Sequence, residues 1–217
     1  MPARIVLCLC LLLSLTGADL DRQPIGGVAA TRIALDPAAW RVAVVAAGDL
    51  DRYRARSRVV IVNAGYFDEA QRPIGLLADA TRTVHAAGDA AVLSGLFSIA
   101  ADGSAAIRRG ATVPARARLA IQSGPLLVEP DGSLGIRSGS EARRRTVLAV
   151  RDGRLSVIAT GPIGLRPLAE HLVAERYAAA INLDGGPSTS LWARLEGNSI
   201  EDPPTAEVPW FIVWWQD

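Results

Sequence analysis

The stretch Thr146-Val147-Leu148-Ala149-Val150-Arg151-Asp152-Gly153-Arg154-Leu155-Ser156-Val157-Ile158-Ala159-Thr160 places two apolar runs on either side of an Asp-Gly pair. Asp-Gly favours a tight turn with both central residues at positive φ, which matches the twist of an antiparallel pair. The stretch therefore predicts two hairpin strands, Thr146–Val150 and Leu155–Ala159, joined at Arg151–Arg154. Asp102-Gly103 and Asp131-Gly132 repeat the signal between extended segments. Outward from the hairpin, more strands are predicted at Val28–Leu35, Arg41–Ala46, Leu96–Ala100, Leu119–Ile121, Leu126–Val128, Ala178–Leu183 and Trp210–Trp215. Arg58-Val59-Val60-Ile61-Val62 is apolar on both faces and reads as a buried central strand. One helix is predicted, with Pro167 near its first turn and Leu168, Leu172, Val173 and Arg176 on one face. Asp49–Arg56 reads as a second, polar helix. The fold class is α+β: a single domain with one mixed, mostly antiparallel sheet system and few helices.

The chain has 217 residues, is half hydrophobic and carries net charge +1. That is enough apolar material for one core and argues against disorder. The near balance of charge gives no sign of a nucleic-acid partner. All cations are Arg, and the absence of Lys excludes Schiff-base and P-loop Lys chemistry. Met1–Arg4 carries one positive charge, Ile5–Leu15 is apolar, and Thr16-Gly17-Ala18 offers small residues. This reads as a signal peptide over residues 1–18, with the domain over 19–217. The apolar run is shorter than the roughly 20 residues a spanning helix needs. Cleavage after Ala18 leaves 22 Arg against 22 acidic residues and removes Cys8 and Cys10, the only cysteines. The mature chain is then expected to be exported, periplasmic or secreted, with no thiol chemistry and no stable membrane anchor. Cys10 follows Leu7-Cys8-Leu9 and does not fit a lipoprotein anchor.

Three apolar strands end abruptly in small and polar residues, where a rigid element positions a loop. They run into Asn63-Ala64-Gly65-Tyr66-Phe67-Asp68, into Gln122-Ser123-Gly124-Pro125, and into Asn182-Leu183-Asp184-Gly185-Gly186-Pro187-Ser188-Thr189-Ser190. In the last, alternation puts Asn182 and Asp184 on one face, opposite Ile181 and Leu183. Gly185 and Gly186 allow a sharp turn or a close approach to a ligand, and their amides suit an anionic oxygen. The plainer reading of Asp184-Gly185 is a fourth Asp-Gly turn, and of Asn63 and Ser123 a turn residue each.

Arg143-Arg144-Arg145-Thr146 reads as a solvated charge run, or as a strand start from which Arg145 points at a phosphate. His85 and His171 have no metal-ligand spacing, and Ser188 lacks the Gly-x-Ser-x-Gly setting of a nucleophile elbow. Of the five Trp, core packing is the default, with sugar stacking open to one.

Asn63-Ala64-Gly65-Tyr66-Phe67, Gln122-Ser123-Gly124-Pro125-Leu126-Leu127, Arg145-Thr146 and Asn182-Leu183-Asp184-Gly185-Gly186-Pro187-Ser188-Thr189, in that order, resemble the phosphodiester glycosidase family over about residues 58–215. The chain departs from the family pattern at Ala64, at Val147-Leu148-Ala149 and at Pro187. The resemblance implies hydrolysis of the C1–O bond of a glycosyl-1-phosphodiester to free sugar and phosphomonoester. A phosphate leaving group needs little general-acid help, so the requirement is a carboxylate at the anomeric carbon and donors around the phosphate. The resemblance implies Asp184 as that carboxylate, base or nucleophile, with Asp68 as the candidate for a second. Asn63, Gly65, Ser123, Gly124, Arg145, Thr146, Asn182, Gly185, Gly186 and Ser188 are the expected substrate-binding residues. The partner is a small or polymeric sugar-phosphate; no organic cofactor is implied, and Asp and Asn oxygens with phosphate would suit a divalent cation. The alternative is a non-catalytic envelope module that binds sugar-phosphate or exopolysaccharide with the same groups.

Overall fold

The computed structural model describes residues 17–217. The expected signal segment lies outside the described residues, apart from Gly17 and Ala18. Asp152 (φ 52°) and Gly153 (φ 74°) form the positive-φ turn that the Asp-Gly pair requires. The hairpin around it runs longer than predicted, Arg143–Arg151 against Arg154–Ile163.

The strands form three sheets, antiparallel at every pairing among the described residues. The first runs Ala18–Asp21, Ala30–Leu35, Arg154–Ile163, Arg143–Arg151, Ala179–Asn182, Leu126–Val128. The second runs Asn198–Asp202, Leu191–Leu195, Val59–Asn63, Trp210–Trp215, Arg41–Ala46. The third runs Thr83–His85, Leu77–Asp79, Leu119–Ser123, Gly95–Ile99, Ala105–Arg109. The single sheet system read from the sequence is thus three sheets around one core.

Alternation along each strand divides its side chains between that core and an outer layer. Val60, Val62, Phe97, Leu148, Ile181 and Trp214 point to the shared centre. Val59, Ile61, Phe211, Val213 and Trp215 form a layer behind the second sheet, closed by Leu50 and Tyr53. The two apolar faces of Val59–Val62 are therefore both used, and its strand is the middle one of five. Behind the first sheet lies the helix Leu165–Ala174, which buries Leu168, Ala169 and Leu172 against Val147, Ala149 and Ile158. Burying a Leu contributes about 2 kcal/mol. Arg176, expected on the buried face, lies past the helix end, exposed and left-handed (φ 59°). The polar helix of 49–56 shrinks to Asp51–Arg54 after a 3-10 turn at Ala47–Asp49. Among the described residues no helix is long and apolar enough to cross a membrane.

The second sheet ends in the edge strand Arg41–Ala46. At its free side the Val44 N–H donates to Asp79 Oδ2 at 3.0 Å and its carbonyl accepts from Arg82 Nη2 at 3.2 Å.

Candidate active site

The three strand ends singled out in the sequence come from three different sheets and meet. Asn63 ends its strand in the second sheet, Ser123 in the third and Asn182 in the first. Main-chain bonds lock the meeting point: Asn182 N to Pro125 O at 3.1 Å, and Leu183 N to Thr146 O at 2.8 Å.

Asn63 is fully buried, and each of its polar side-chain atoms has a partner within the chain. Its Oδ1 accepts from Thr146 Oγ1 (2.7 Å) and Ser190 N (3.1 Å), and its Nδ2 donates to Ala64 O (3.1 Å) and Asp184 O (2.8 Å). Thr146 is equally buried and holds that amide in place. Ser123 Oγ donates to Asn182 O at 2.9 Å, so it too anchors the backbone that leads to Asp184. Gly124 sits where a Cβ would lie 2.2 Å from Val92 O, so only glycine fits. Gly65 packs beside Gln122 O and Ser123 Oγ.

Asn182 ends its strand 1% exposed, and its Nδ2 donates to Tyr66 Oη at 3.1 Å and to Leu183 O. Its Oδ1 is buried without a hydrogen-bond partner among the described residues. A buried orphan acceptor of this kind is costly and calls for a donor. Tyr66, given no role in the sequence reading, joins the site through its hydroxyl, which donates to Gly124 O at 2.7 Å. Burial, and secondarily the Asp184 charge, push this phenol up to about 12 against the lowering effects of the Asn182 bond and Arg145.

Asp184 follows on the loop. Burial raises its carboxyl above the ordinary carboxylate value, while the Ser188 hydroxyl and the Gly185 N–H pull it back. The Gly185 N–H donates to Asp184 Oδ1 at 2.9 Å. Gly186 (φ 60°) is left-handed and opens a short 3-10 turn to Ser188. A Cβ on Gly185 would meet Arg144 O at 2.9 Å and lie 3.7 Å from Arg145 Nη1.

Arg145 is 7% exposed. Its Nε donates to Ile163 O at 3.1 Å and its Nη2 to Glu141 O at 2.8 Å. Pro162 has no N–H for the ladder, and the strand register shifts between Arg143 and Arg145, which re-aims the side chain. Nη1 makes no hydrogen bond to the described residues, and Arg145 has no carboxylate partner within ion-pair distance among them. A guanidinium with two carbonyl anchors, one free edge and no ion pair among the described residues can accommodate an anion. Of the Arg143–Arg145 run, Arg143 pairs with Glu141 (2.5 Å) and Arg144 with Asp202 (2.5 Å).

Asp68 does not join this group. Its carboxylate accepts from the amides of Ala70 and Arg72 and from Arg72 Nε at 2.9 Å, which holds its pKa below the ordinary value. His85 contacts the Gly75 and Ala86 carbonyls, and His171 lies on the helix. Among the described residues no group of three His, Cys, Asp or Glu side chains comes together. A groove of about 560 Å³ lies along Arg41–Val44, Arg82 and Arg118 and shares no lining residue with the Asp184 site.

Comparison with solved structures places this architecture among known folds. A hypothetical protein from Synechocystis superposes with a TM-score of 0.67 at 17% identity, covering 92% of this chain and 61% of that one. The chain thus spans about three fifths of that protein's length. The catalytic domain of zebrafish N-acetylglucosamine-1-phosphodiester alpha-N-acetylglucosaminidase, auto-inhibited by its pro-peptide, superposes with a TM-score of 0.64 at 16% identity, covering 92% of this chain and 82% of that one. At such identities the likeness is one of fold. No curated protein matches the sequence. The sequence pattern described as phosphodiester glycosidase matches residues 56–213, a span that contains every strand end meeting at Asp184. On that match the chain belongs to the phosphodiester glycosidase family.

Proposed function

We propose that this chain is an exported hydrolase that cleaves the C1–O bond of a glycosyl-1-phosphodiester. The observation that carries the reading is that a desolvated carboxylate, Asp184, and a nearly buried guanidinium without an ion pair among the described residues, Arg145, both act on the Tyr66 hydroxyl. Unlike charges held in one site without pairing suit a substrate that is cation-like at one atom and anionic at the next.

In this reading the phosphodiester oxygens sit on Arg145 Nη1 and the Gly186 N–H, the one amide of the Gly185–Ser188 turn without an acceptor among the described residues. Asp184 takes a proton from a water molecule as the water oxygen bonds to the anomeric carbon. The C1–O electron pair leaves with the phosphate. The products are a free sugar of inverted configuration and a phosphomonoester, whose charge is already stabilised, so no general acid is needed. Asn63, Thr146 and Ser123 position the loop instead of touching substrate, and Asp68 takes no step. The reading of residues 1–18 as a signal peptide supports export.

The test is release of both products by residues 19–217 from a panel of α-glycosyl-1-phosphodiesters, including sugar nucleotides such as UDP-N-acetylglucosamine. Asp184→Asn should lose at least about a hundredfold in kcat, and Asp68→Asn should stay within about threefold of wild type, as expected of a surface ion pair. A retained anomeric configuration would make Asp184 the nucleophile. Saturable binding of a diester without turnover would establish the binding-module alternative.

A further inference from the structure

Behind the Asp184 loop the second sheet carries a groove of about 300 Å³, near the lower end of the size of small-ligand sites. Its lining includes Ile61, Phe211, Trp192, Pro203 and Pro204. Three of the other Trp have no free ring to offer. Trp40 and Trp214 are buried in the central core, and Trp215 is buried in the outer layer against Tyr53. Trp192 is half-buried, with the Arg194 guanidinium 5.3 Å from its ring centre. Glu201 pairs directly opposite Trp192 in the ladder, so both side chains rise from the same face. Glu201 is exposed and makes no hydrogen bond or ion pair among the described residues. Asp202 also lines the groove, bonded to Arg144, and Arg54 is held by Asp51.

An aromatic wall with apolar neighbours fits the C–H face of a pyranose, and a free carboxylate accepts from its hydroxyls. The same carboxylates repel phosphate. The groove touches the end of the Asn63 strand through Ser190, which lines it and whose hydroxyl accepts from Asn63 N at 3.1 Å. Through Pro203 it also adjoins the loop whose Thr205 N–H donates to Pro187 O at 2.8 Å.

We infer that this groove is a glycan subsite that holds a neutral sugar residue stacked on Trp192 and bonded to Glu201. On the hydrolase reading above, the sugar belongs to the substrate, which is then an oligosaccharide or polymer rather than a single glycosyl phosphodiester.

The test uses phosphate-free probes, so it stands apart from the hydrolysis assay. Cellotriose, maltotriose, mannotriose and tri-N-acetylchitotriose are titrated calorimetrically into residues 19–217. At least one should bind, with equal affinity in Asp184→Asn, about tenfold weaker in Trp192→Ala, and weakened in Glu201→Gln. Glu201 is on the exposed rim, so that variant keeps the test valid if Trp192→Ala does not fold. No binding of any trisaccharide at millimolar concentration, or binding indifferent to both substitutions, overturns the subsite. Binding with this pattern in a protein that hydrolyses no phosphodiester would leave the subsite standing and remove only its link to the reaction.

Discussion

The Asn63 side-chain amide donates to the main-chain carbonyl of Asp184 at 2.8 Å, tying the end of one sheet to the loop that leaves another. The bond fixes the peptide that carries the Asp184 carboxylate without engaging the carboxylate itself. Asn63→Ala strips Thr146 Oγ1, Ser190 N and the Asp184 carbonyl of partners in a dry interior. Stability in urea should fall by about 2–4 kcal/mol, the scale of buried polar groups left unpaired. At temperatures where the variant is folded, kcat should fall and KM should change little, because the loss is of position and not of a substrate contact.

Burial raises the Asp184 carboxyl in the folded chain. The folded protein therefore keeps this proton at pH values where the unfolded chain has released it. Its contribution to stability declines as pH rises from the ordinary carboxylate range through the folded pKa. Asp184→Asn should melt above wild type at pH 7. The gap should close as pH is lowered below the ordinary carboxylate range. A calorimetric scan across pH checks both limbs, and a variant less stable at pH 7 would contradict the assigned desolvation.

Arg145 offers a free Nη1 while Ile163 and Glu141 carbonyls hold the rest of the fork. Arg145→Gln should raise KM for a phosphodiester by about tenfold or more, the scale of a lost charge-assisted bond. A neutral aryl glycoside of the same sugar has no phosphate to lose and should be affected far less. Parallel kinetics on the two substrates give the comparison, and equal losses on both would place Arg145 outside the phosphate contact.

Tyr66 is pushed up to about 12, so it stays protonated wherever the protein is folded and active. It can align Asn182 but cannot exchange protons near neutrality. Tyr66→Phe should lower kcat by about tenfold, the scale of one hydrogen bond, and leave both limbs of the pH–rate profile where they are in wild type. A displaced limb would show that the phenol titrates.

The parts of this fold legible in the sequence are those with local causes. Asp152-Gly153 dictates its own turn, and Val59–Val62 announces a strand with two apolar faces. The strands Leu77–Asp79, Thr83–His85 and Asn198–Asp202 were not legible, because they are short and half polar; the last two are edge strands, each paired only with the strand just before it in sequence. The convergence at Asn182 and Asp184 was partly legible from their shared phase and the glycines after them. The role of Asn63 was not, since an amide that clamps a carbonyl and one that binds a sugar are the same letter. Tyr66 was passed over for a related reason: an aromatic after Gly65 reads as core until the Gly124 carbonyl is seen to meet its hydroxyl. For Asp68, the Arg four residues on was the available signal that the carboxylate closes a local loop.

The side chains on Val44 bear on how this molecule meets other molecules of its kind. An exposed strand border is a template on which a second chain can lay its own backbone and begin a fibril. With Asp79 and Arg82 occupying the middle of that border, an incoming strand finds no run of vacant backbone groups to register against. At high concentration the molecules collide along this border without growing into a shared sheet.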